Sequence, residues 1–336
     1  MAFDGIVLSR VTELLKETIV TGRISKLYQI SKYELLMTVR AQNENKKLLV
    51  SIHPMYARVQ LTQLNYPTPD FPNALTMFLR KHIEGSFIER IEQVGLDRIL
   101  KITLRGRNEF KDLVEYHLYI EIMGRHSNFI LTNKEDKILE CLKRVSPSDS
   151  IRIMQPGITY SYPPLLDKKN PFENTPETTN LVKEFEGFSK DLAEEAASRM
   201  EQGEDFKTIM NEIKESKELY ITRGDKEKYH VIPLHCFGKK IDQYSLFDGL
   251  DAYYQFIDQK DRIKQQTSDI LHFIQKEYTK NVNKLDKLEK TLFDSHNSDE
   301  YRIKGDLLYA SLHLIQKGMK EVTVDNYYDG TKMTIE

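Results

Sequence analysis

The sequence predicts an α+β protein of several parts, and three observations carry that prediction. Apolar and polar residues alternate through most of 85–133, the period of strands exposed on one face. The first 22 residues have helical spacing, and 178–216 reads as helical and acidic. From 252 to 293 the composition shifts to Lys, Gln, Asp and Glu around a sparse apolar stripe. At 336 residues the chain exceeds one ordinary core, so two or three domains are expected.

At the start, Asp4 is placed to cap a helix whose apolar positions are Val7, Val11, Leu14 and Leu15, with Gly22 at its end. Strands follow at 24–30, 34–40 and 47–52, with a turn at 43–45. Pro67, Pro69 and Pro72 exclude regular structure between 65 and 73. Leu75, Phe78, Leu79 and Ile83 then mark a short helix bearing Arg80, Lys81 and His82. The alternating stretch adds strands at 98–105, 115–123, 128–132 and 137–143, and its short loops favour antiparallel pairing in a meander or sandwich.

A second proline-rich passage, 147–176, closes this domain. In 178–216 a break at 186–189 divides two short helices, with Gly187 as the residue after one and Ser189 as the cap of the next. Such a pair forms a helical hairpin. Residues 219–222, 229–233 and 240–244 read as strands too few to stand alone, so they are expected to join the first sheet. In 252–293, Ile263, Ile270, Ile274, Tyr278, Val282, Leu285, Leu288 and Leu292 form a coiled-coil stripe on a helix that would run about 60 Å. A shorter amphipathic helix at 301–316 and a small hairpin of 322–324 with 332–335 around Asp329-Gly330 complete the chain. No return helix of equal length follows, so the chain is expected to break off within a coiled coil.

The net charge of −2 gives no general case for nucleic-acid binding, so any such surface must be local. Cys141 and Cys236 are far apart and form no CxxC, against a disulfide framework or a four-cysteine zinc site. The N-terminus lacks a basic lead, and no apolar run approaches the roughly 20 residues that span a bilayer. A cytoplasmic protein is therefore expected. No catalytic triad, phosphate loop or metal-ligand cluster stands out; His53, His117, His126 and His235 are scattered.

In order along the chain come Met1-Ala-Phe-Asp-Gly5, Ser51-Ile-His-Pro54, Tyr56-Ala-Arg58, Leu79-Arg-Lys-His82, Gln93, Leu96-Asp-Arg98, Glu121-Ile-Met-Gly124 and His126-Ser-Asn128. Leu250-Asp-Ala-Tyr253, Lys304-Gly-Asp-Leu-Leu308 and Asn326-Tyr-Tyr328 follow. This ordered set, spanning nearly the whole chain, resembles the NFACT family, and within it the bacterial RqcH type, formerly called fibronectin-binding protein A and related to eukaryotic NEMF. The resemblance implies a β-rich N-terminal domain (1–176) similar in outline to that of formamidopyrimidine-DNA glycosylases. It also implies a helix-hairpin-helix domain (177–217), strands returning to the first domain (218–250), the first helix of a coiled coil (251–298) and the start of a small middle domain (299–336).

The implied function is ribosome-associated quality control. Such proteins bind large ribosomal subunits holding a stalled peptidyl-tRNA and recruit alanyl-tRNA for untemplated C-terminal alanine tails. The family's paired Asp-Arg for tRNA recruitment falls on Asp97 and Arg98, and its Glu-Ile-Met segment on Glu121, Ile122 and Met123. An arginine forks onto a phosphate or a guanine edge, and an aspartate accepts from a base amino group or holds the arginine. In a regular strand these two side chains would diverge, so a turn or bulge after Gly95 is expected. Glu121 would share a face with His117, Tyr119 and Met123, either a solvated sheet face or part of the site. Within 124–128, Arg125 is the expected phosphate contact, and Ser127 and Asn128 fit turn formers. Arg80, Lys81, Lys101 and Arg105 are further candidate phosphate contacts, although Glu84, Glu89, Glu92 and Glu109 dilute them.

No cofactor, metal or catalytic nucleophile is implied, because the ribosome performs peptidyl transfer. Glycosylase chemistry is excluded by Ala2 and Phe3, which stand where that enzyme class has a proline nucleophile and its glutamate. The remaining alternative is a surface adhesin binding fibronectin, disfavoured by the lack of a secretion signal.

Overall fold

The computed structural model describes residues 3–336 except Glu109, Asp149, Ile151 and Leu165, together with the backbone but not the side chains of 261, 262, 265, 266, 269, 296 and 297. The motif residues Met1 and Ala2, and the acidic neighbour Glu109, lie outside the described residues. Two units divide the chain, Met1–Gln259 and Lys260–Glu336.

The first unit opens with α1 (Gly5–Ile19), capped as expected: the Asp4 carboxylate accepts from the Val7 amide at 2.9 Å. Strands β1 (Arg23–Ser31), β2 (Glu34–Ala41), β3 (Glu44–Ser51) and β4 (Arg58–Thr62) follow, then α2 (Ala74–Ile83). Next come β5 (Phe87–Gln93), β6 (Ile99–Arg107), β7 (Leu113–Glu121), β8 (Asn128–Asn133) and β9 (Ile138–Cys141). All nine strands form one antiparallel sheet in the order β4-β3-β2-β1-β5-β6-β7-β8-β9. It is two meanders joined where Arg23 faces Phe87, with main-chain hydrogen bonds linking Ile24 to Gly85 and Ser86 and Gly22 to Ile88. The sheet curls until residues near its two ends meet, for the Lys143 ammonium after β9 donates to the Ile52 carbonyl after β3 at 3.2 Å.

Alternation sorts the side chains between two cores. Leu100, Ile102, Leu104, Leu118, Ile120 and Ile122 enter the main core with α1, which packs against β2, β4 and β5. Ile99, Tyr119 and Ile130 point the other way, into a smaller cluster closed by Met154 and Tyr160. That second face is therefore covered, not solvated.

Helices α3 (Leu181–Glu184), α4 (Lys190–Glu201) and α5 (Phe206–Glu215) come next. Ser189 caps α4 by accepting from the Leu192 amide, as predicted; Gly187 is left-handed at φ 75° but lies two residues past the α3 cap at Phe185 and not directly after the helix. A further break unseen in the sequence falls between α4 and α5, where Gly203 adopts φ 92°. Strands β10 (Glu218–Arg223), β11 (Lys228–His230) and β12 (Lys240–Ser245) are where the spacing places them. They do not extend the large sheet. They form their own sheet, order β11-β10-β12, because β10 is paired along both edges, and Leu219, Ile221 and Tyr229 reach the common core through packing instead.

Helix α6 (Leu246–Ala310) begins in the first unit and continues in the second. The separate helix expected from 301 is part of it, since neither glycine nor proline interrupts 294–300. In the second unit the stripe residues Ile263, Ile270, Tyr278, Leu285 and Leu292 are all exposed. The predicted hairpin is present as β13 (Val322–Asp325) and β14 (Lys332–Ile335), and Val322, Val324 and Ile335 pack on Leu307. Among the described residues no helix is long and apolar enough to cross a membrane.

Candidate functional site

The irregularity expected after Gly95 is there. Strand β5 ends at Gln93 and β6 begins at Ile99, leaving Asp97 and Arg98 in the connecting turn. Gly95 is left-handed at φ 57°, and the Asp97 amide donates to the Val94 carbonyl at 3.0 Å. The rule that adjacent strand residues face opposite ways does not apply within this turn, and both residues line one cleft of about 330 Å³.

Two side chains from outside the turn hold it. The Gln93 amide nitrogen donates to the carbonyls of Asp97 and Gly5, both at 2.9 Å. The Glu186 carboxylate accepts from the Leu96 amide at 3.1 Å. Asp97 Oδ1 accepts from the Arg98 amide at 2.7 Å, which pins the aspartate side chain to its own backbone.

The cleft floor requires glycine. A Cβ on Gly5 would fall 1.9 Å from the Leu96 carbonyl oxygen and 2.6 Å from the Gly187 Cα. The Gly5 and Ile6 amides donate to the Gly187 carbonyl at 3.1 and 3.3 Å. Three backbones from distant parts of the sequence thus touch where α1 and α4 both begin, with Lys168 and Lys190 on the rim. Asp4, also on this wall, is buried; burial raises its carboxyl pKa, but His230 at 3.3 Å, Ser189 and the Val7 amide outweigh it and hold the group below the usual value. The wall therefore carries a fixed negative charge beside Arg98, Lys168 and Lys190.

The Glu-Ile-Met segment joins this turn through the sheet. Glu121 pairs with Ile99, and the Ile122 amide donates to the Arg98 carbonyl at 2.8 Å. Glu121 itself faces inward: it is 1% exposed, and Arg152 forks onto both of its oxygens while the Tyr160 hydroxyl donates at 2.8 Å. Burial pulls the Arg152 pKa down, yet Glu121 outweighs it and keeps the guanidinium above its ordinary value. Of the two alternatives for the face of His117, Tyr119 and Glu121, the solvated one is ruled out by packing, with the Tyr119 and Tyr160 rings stacked 3.9 Å apart. His117 is buried there too, between Asp136 at 2.6 Å and Glu115 at 3.1 Å. Ile122 is buried and Met123 half-buried.

Arg125 is exposed, its Nε donating to His126 Nε2 at 3.0 Å. Ser127 and Asn128 are buried and act on the backbone: Ser127 accepts from the Met123 amide, and the Asn128 amide bridges to both backbone groups of Lys143. Among the candidate phosphate contacts, Arg80 donates to the Leu27 carbonyl, lies over Tyr28 and pairs with Glu84, while Arg105 pairs with Glu89. Lys101 is half-buried with its ammonium 5.4 Å from the Tyr119 ring, and Lys81 is exposed. None of these four lines the cleft.

Gln93, Glu186, Lys168 and Lys190 were not singled out for chemistry by sequence. Gln93 stood inside the recognised motif, and Glu186 adjoined the predicted break; the contacts that give them a role cross 88 and 90 residues.

A nine-stranded antiparallel sheet with a glycine-floored cleft at its β5–β6 turn, a helical pair and a long charged helix define a recognisable class. The family model for NFACT N-terminal and middle domains matches residues 4–336, and the chain belongs to that family. It is 40% identical to the Rqc2 homolog RqcH of Bacillus subtilis (strain 168), over all of this chain and 63% of that protein. Identity to the Rqc2 homolog RqcH of Streptococcus pneumoniae serotype 2 is 36%, over all of this chain and 62% of that protein. The human ribosome quality control complex subunit NEMF matches at 26% over 45% of this chain and 13% of its own length. The chain thus spans just under two thirds of its bacterial relatives. Among solved structures, the N-terminal part of the fibronectin/fibrinogen-binding protein from Streptococcus suis matches with a TM-score of 0.69 and 34% identity, covering 75% of this chain and 99% of that one. The fibrinogen binding protein from Staphylococcus aureus gives 0.67 and 32%, covering 76% and 99%.

Proposed function

We propose that this protein serves ribosome-associated quality control, binding large ribosomal subunits that hold a stalled peptidyl-tRNA and recruiting alanyl-tRNA for untemplated C-terminal alanine tailing. The observation that carries the reading is that Asp97 and Arg98 leave the ladder together at Gly95 and line one cleft. The Rqc2 homologs RqcH at 36–40% identity, and the human ribosome quality control complex subunit NEMF at 26%, support it. In this reading Arg98 engages phosphate or a guanine edge and Asp97 orients it or accepts from a base. Glu121 acts from within, bracing the strand beside Arg98 through Arg152 and Tyr160. Arg125 adds a phosphate contact at the end of β7.

The ribosome performs peptidyl transfer, so the protein works as a binding factor in the cytoplasm and not as an enzyme. Helices α4 and α5 serve as the family's helix-hairpin-helix domain, and the large sheet as a domain of glycosylase-like outline. The exposed stripe of α6 pairs as a coiled coil and extends the factor's reach across the subunit. The test is RNA co-purification: Asp97→Ala with Arg98→Ala should remove tRNA and spare subunit binding, and unchanged tRNA occupancy would refute the reading.

A second reading, adhesion to fibronectin or fibrinogen, is favoured by the names of the two solved structures. Cell fractionation separates the two: co-sedimentation with large subunits supports the first, and exclusively extracellular protein the second.

A further inference from the structure

Four loops that are distant in sequence meet at one end of the curled sheet: residues 31–33, 52–56, 124–126 and 142–144. The Tyr33 ring is their centre. Lys32 and Lys143 place their ammonium groups 5.4 and 5.3 Å from its centroid. The His53 ring meets Tyr33 edge-on at 5.4 Å and stacks on Tyr56 at 4.9 Å. Lys143 is anchored, donating to the carbonyls of Ile52 at 3.2 Å and Arg125 at 3.4 Å. The exposed guanidinium of Arg125 is carried by the same loop.

This arrangement has an electrostatic peculiarity. Arg80, Arg105 and Arg144 each have a carboxylate partner. Among the described residues Lys32 and Lys143 form no ion pair, although they gather at one ring. Burial first, and then the Lys32 charge, pull the Lys143 pKa down. Two like charges gathered at one ring, one exposed and one half-buried, favour an anion between them, and phosphate supplies the charge and the acceptors. Flat rings beside the cations are the pairing by which proteins hold nucleic-acid strands, with the bases stacking and the backbone neutralised.

We propose that this end of the sheet is a second RNA contact, a patch in which Lys32, Lys143 and Arg125 neutralise backbone phosphates beside the rings of Tyr33 and His53. It rests on the RNA-binding reading above and extends it. The Arg98 carbonyl accepts from Ile122, three residues before Arg125, so the patch and the cleft flank the same end of β7. One RNA strand would be gripped by its phosphates at the patch and read at the cleft.

The test measures binding of the 336-residue chain to unfractionated tRNA across a salt series. Lys32→Met with Lys143→Met keeps the apolar stems over Tyr33 and removes both charges. The slope of log K against log salt should fall by about 1.5, with binding weakened roughly ten- to thirtyfold at 0.1 M salt. Lys143→Arg alone keeps both charges and should leave the slope unchanged. An unchanged slope in the double variant, with binding still lost in Asp97→Ala/Arg98→Ala, overturns the patch alone. A reduced slope with no effect of Asp97→Ala/Arg98→Ala upholds the patch and overturns the cleft reading. No RNA binding by the unsubstituted chain overturns both. Repeated with purified large ribosomal subunits, the double variant should keep the slope of the unsubstituted chain; a slope that falls there and not with tRNA overturns the one-strand arrangement.

Discussion

The Arg58 guanidinium meets the Asp258 carboxylate at 2.5 Å across 200 residues of sequence, and both side chains are buried. Arg58 also donates to Gln60 and the Tyr56 carbonyl and lies 4.1 Å from the Tyr254 ring centroid. Two turns earlier in α6, Asp251 accepts from Gln60, Thr62 and the Gln63 amide at 2.6–2.9 Å. The Tyr56-Ala-Arg58 and Leu250-Asp-Ala-Tyr253 motifs therefore have a shared structural purpose: they bolt the base of α6 to β4. Asp258→Asn should destabilise the first unit by about 3–5 kcal/mol, because the arginine is left charged and buried without its counter-ion. Urea denaturation measures this, and a loss under 1 kcal/mol would mean the anchor lies elsewhere.

The Asp97→Ala/Arg98→Ala variant should lose at least tenfold in tRNA affinity. Its stability should fall by no more than about 1–2 kcal/mol, since the turn's backbone remains held by Gln93 and Glu186 and the aspartate hydrogen bond is local. Parallel binding and melting curves check both halves. Equal losses in both would make the pair structural.

Gly5→Ala should be among the most damaging substitutions in the cleft. The new methyl would fall 1.9 Å from a main-chain oxygen, which cannot swing aside as a flexible side chain does. A loss of about 3 kcal/mol or more is expected. Gly203→Ala is the control. That glycine is left-handed with open space around it, so only backbone strain of about 1–2 kcal/mol should register. Chemical denaturation of the two variants side by side tests the ranking.

Asp4 makes stability depend on pH with a definite sign. Its folded pKa lies below its ordinary value of 3.8, so the ionised group stabilises the fold above that pH. The contribution is lost as pH falls through the depressed folded pKa. Asp4→Asn retains a capping oxygen and lacks the charge. The stability gap between the native chain and this variant should be widest above about pH 5 and close on acidification. A gap independent of pH would show that the charge is irrelevant.

The two cysteines should differ in reactivity. Burial, with help from Glu140, pushes the Cys141 thiol up to about 12, and it is enclosed in the smaller core. Cys236 is exposed. Iodoacetamide under native conditions should label Cys236 alone, giving one adduct by mass spectrometry, with Cys141 labelled only after unfolding.

Much of the fold was legible because its causes are local. The Asp4 cap, the Ser189 cap, the left-handed Gly187 and the terminal hairpin around Gly330 each follow from residues within a few positions of one another. Alternation likewise placed Leu100, Ile102 and Leu104 on one buried face. It failed for the opposite face, because the cover over Glu121 comes from Arg152 and Tyr160, some thirty to forty residues away in a proline-rich passage with no periodicity.

The sequence by itself determined most of the strands and helices, though not β4, the break between α4 and α5 or the continuity of α6, together with the family motifs and the need for a turn at Gly95 if Asp97 and Arg98 were to act together. Only the tertiary structure decided what stands around that turn. Gly5, Leu96 and Gly187 close to main-chain contact, Gln93 and Glu186 lock the loop from two sides, and Glu121 is turned inward to Arg152. The physical reason is range. Capping and alternation act over a few residues, whereas a cleft is made by backbones that fold together from far apart, and no local pattern records which distant carbonyl an amide will find.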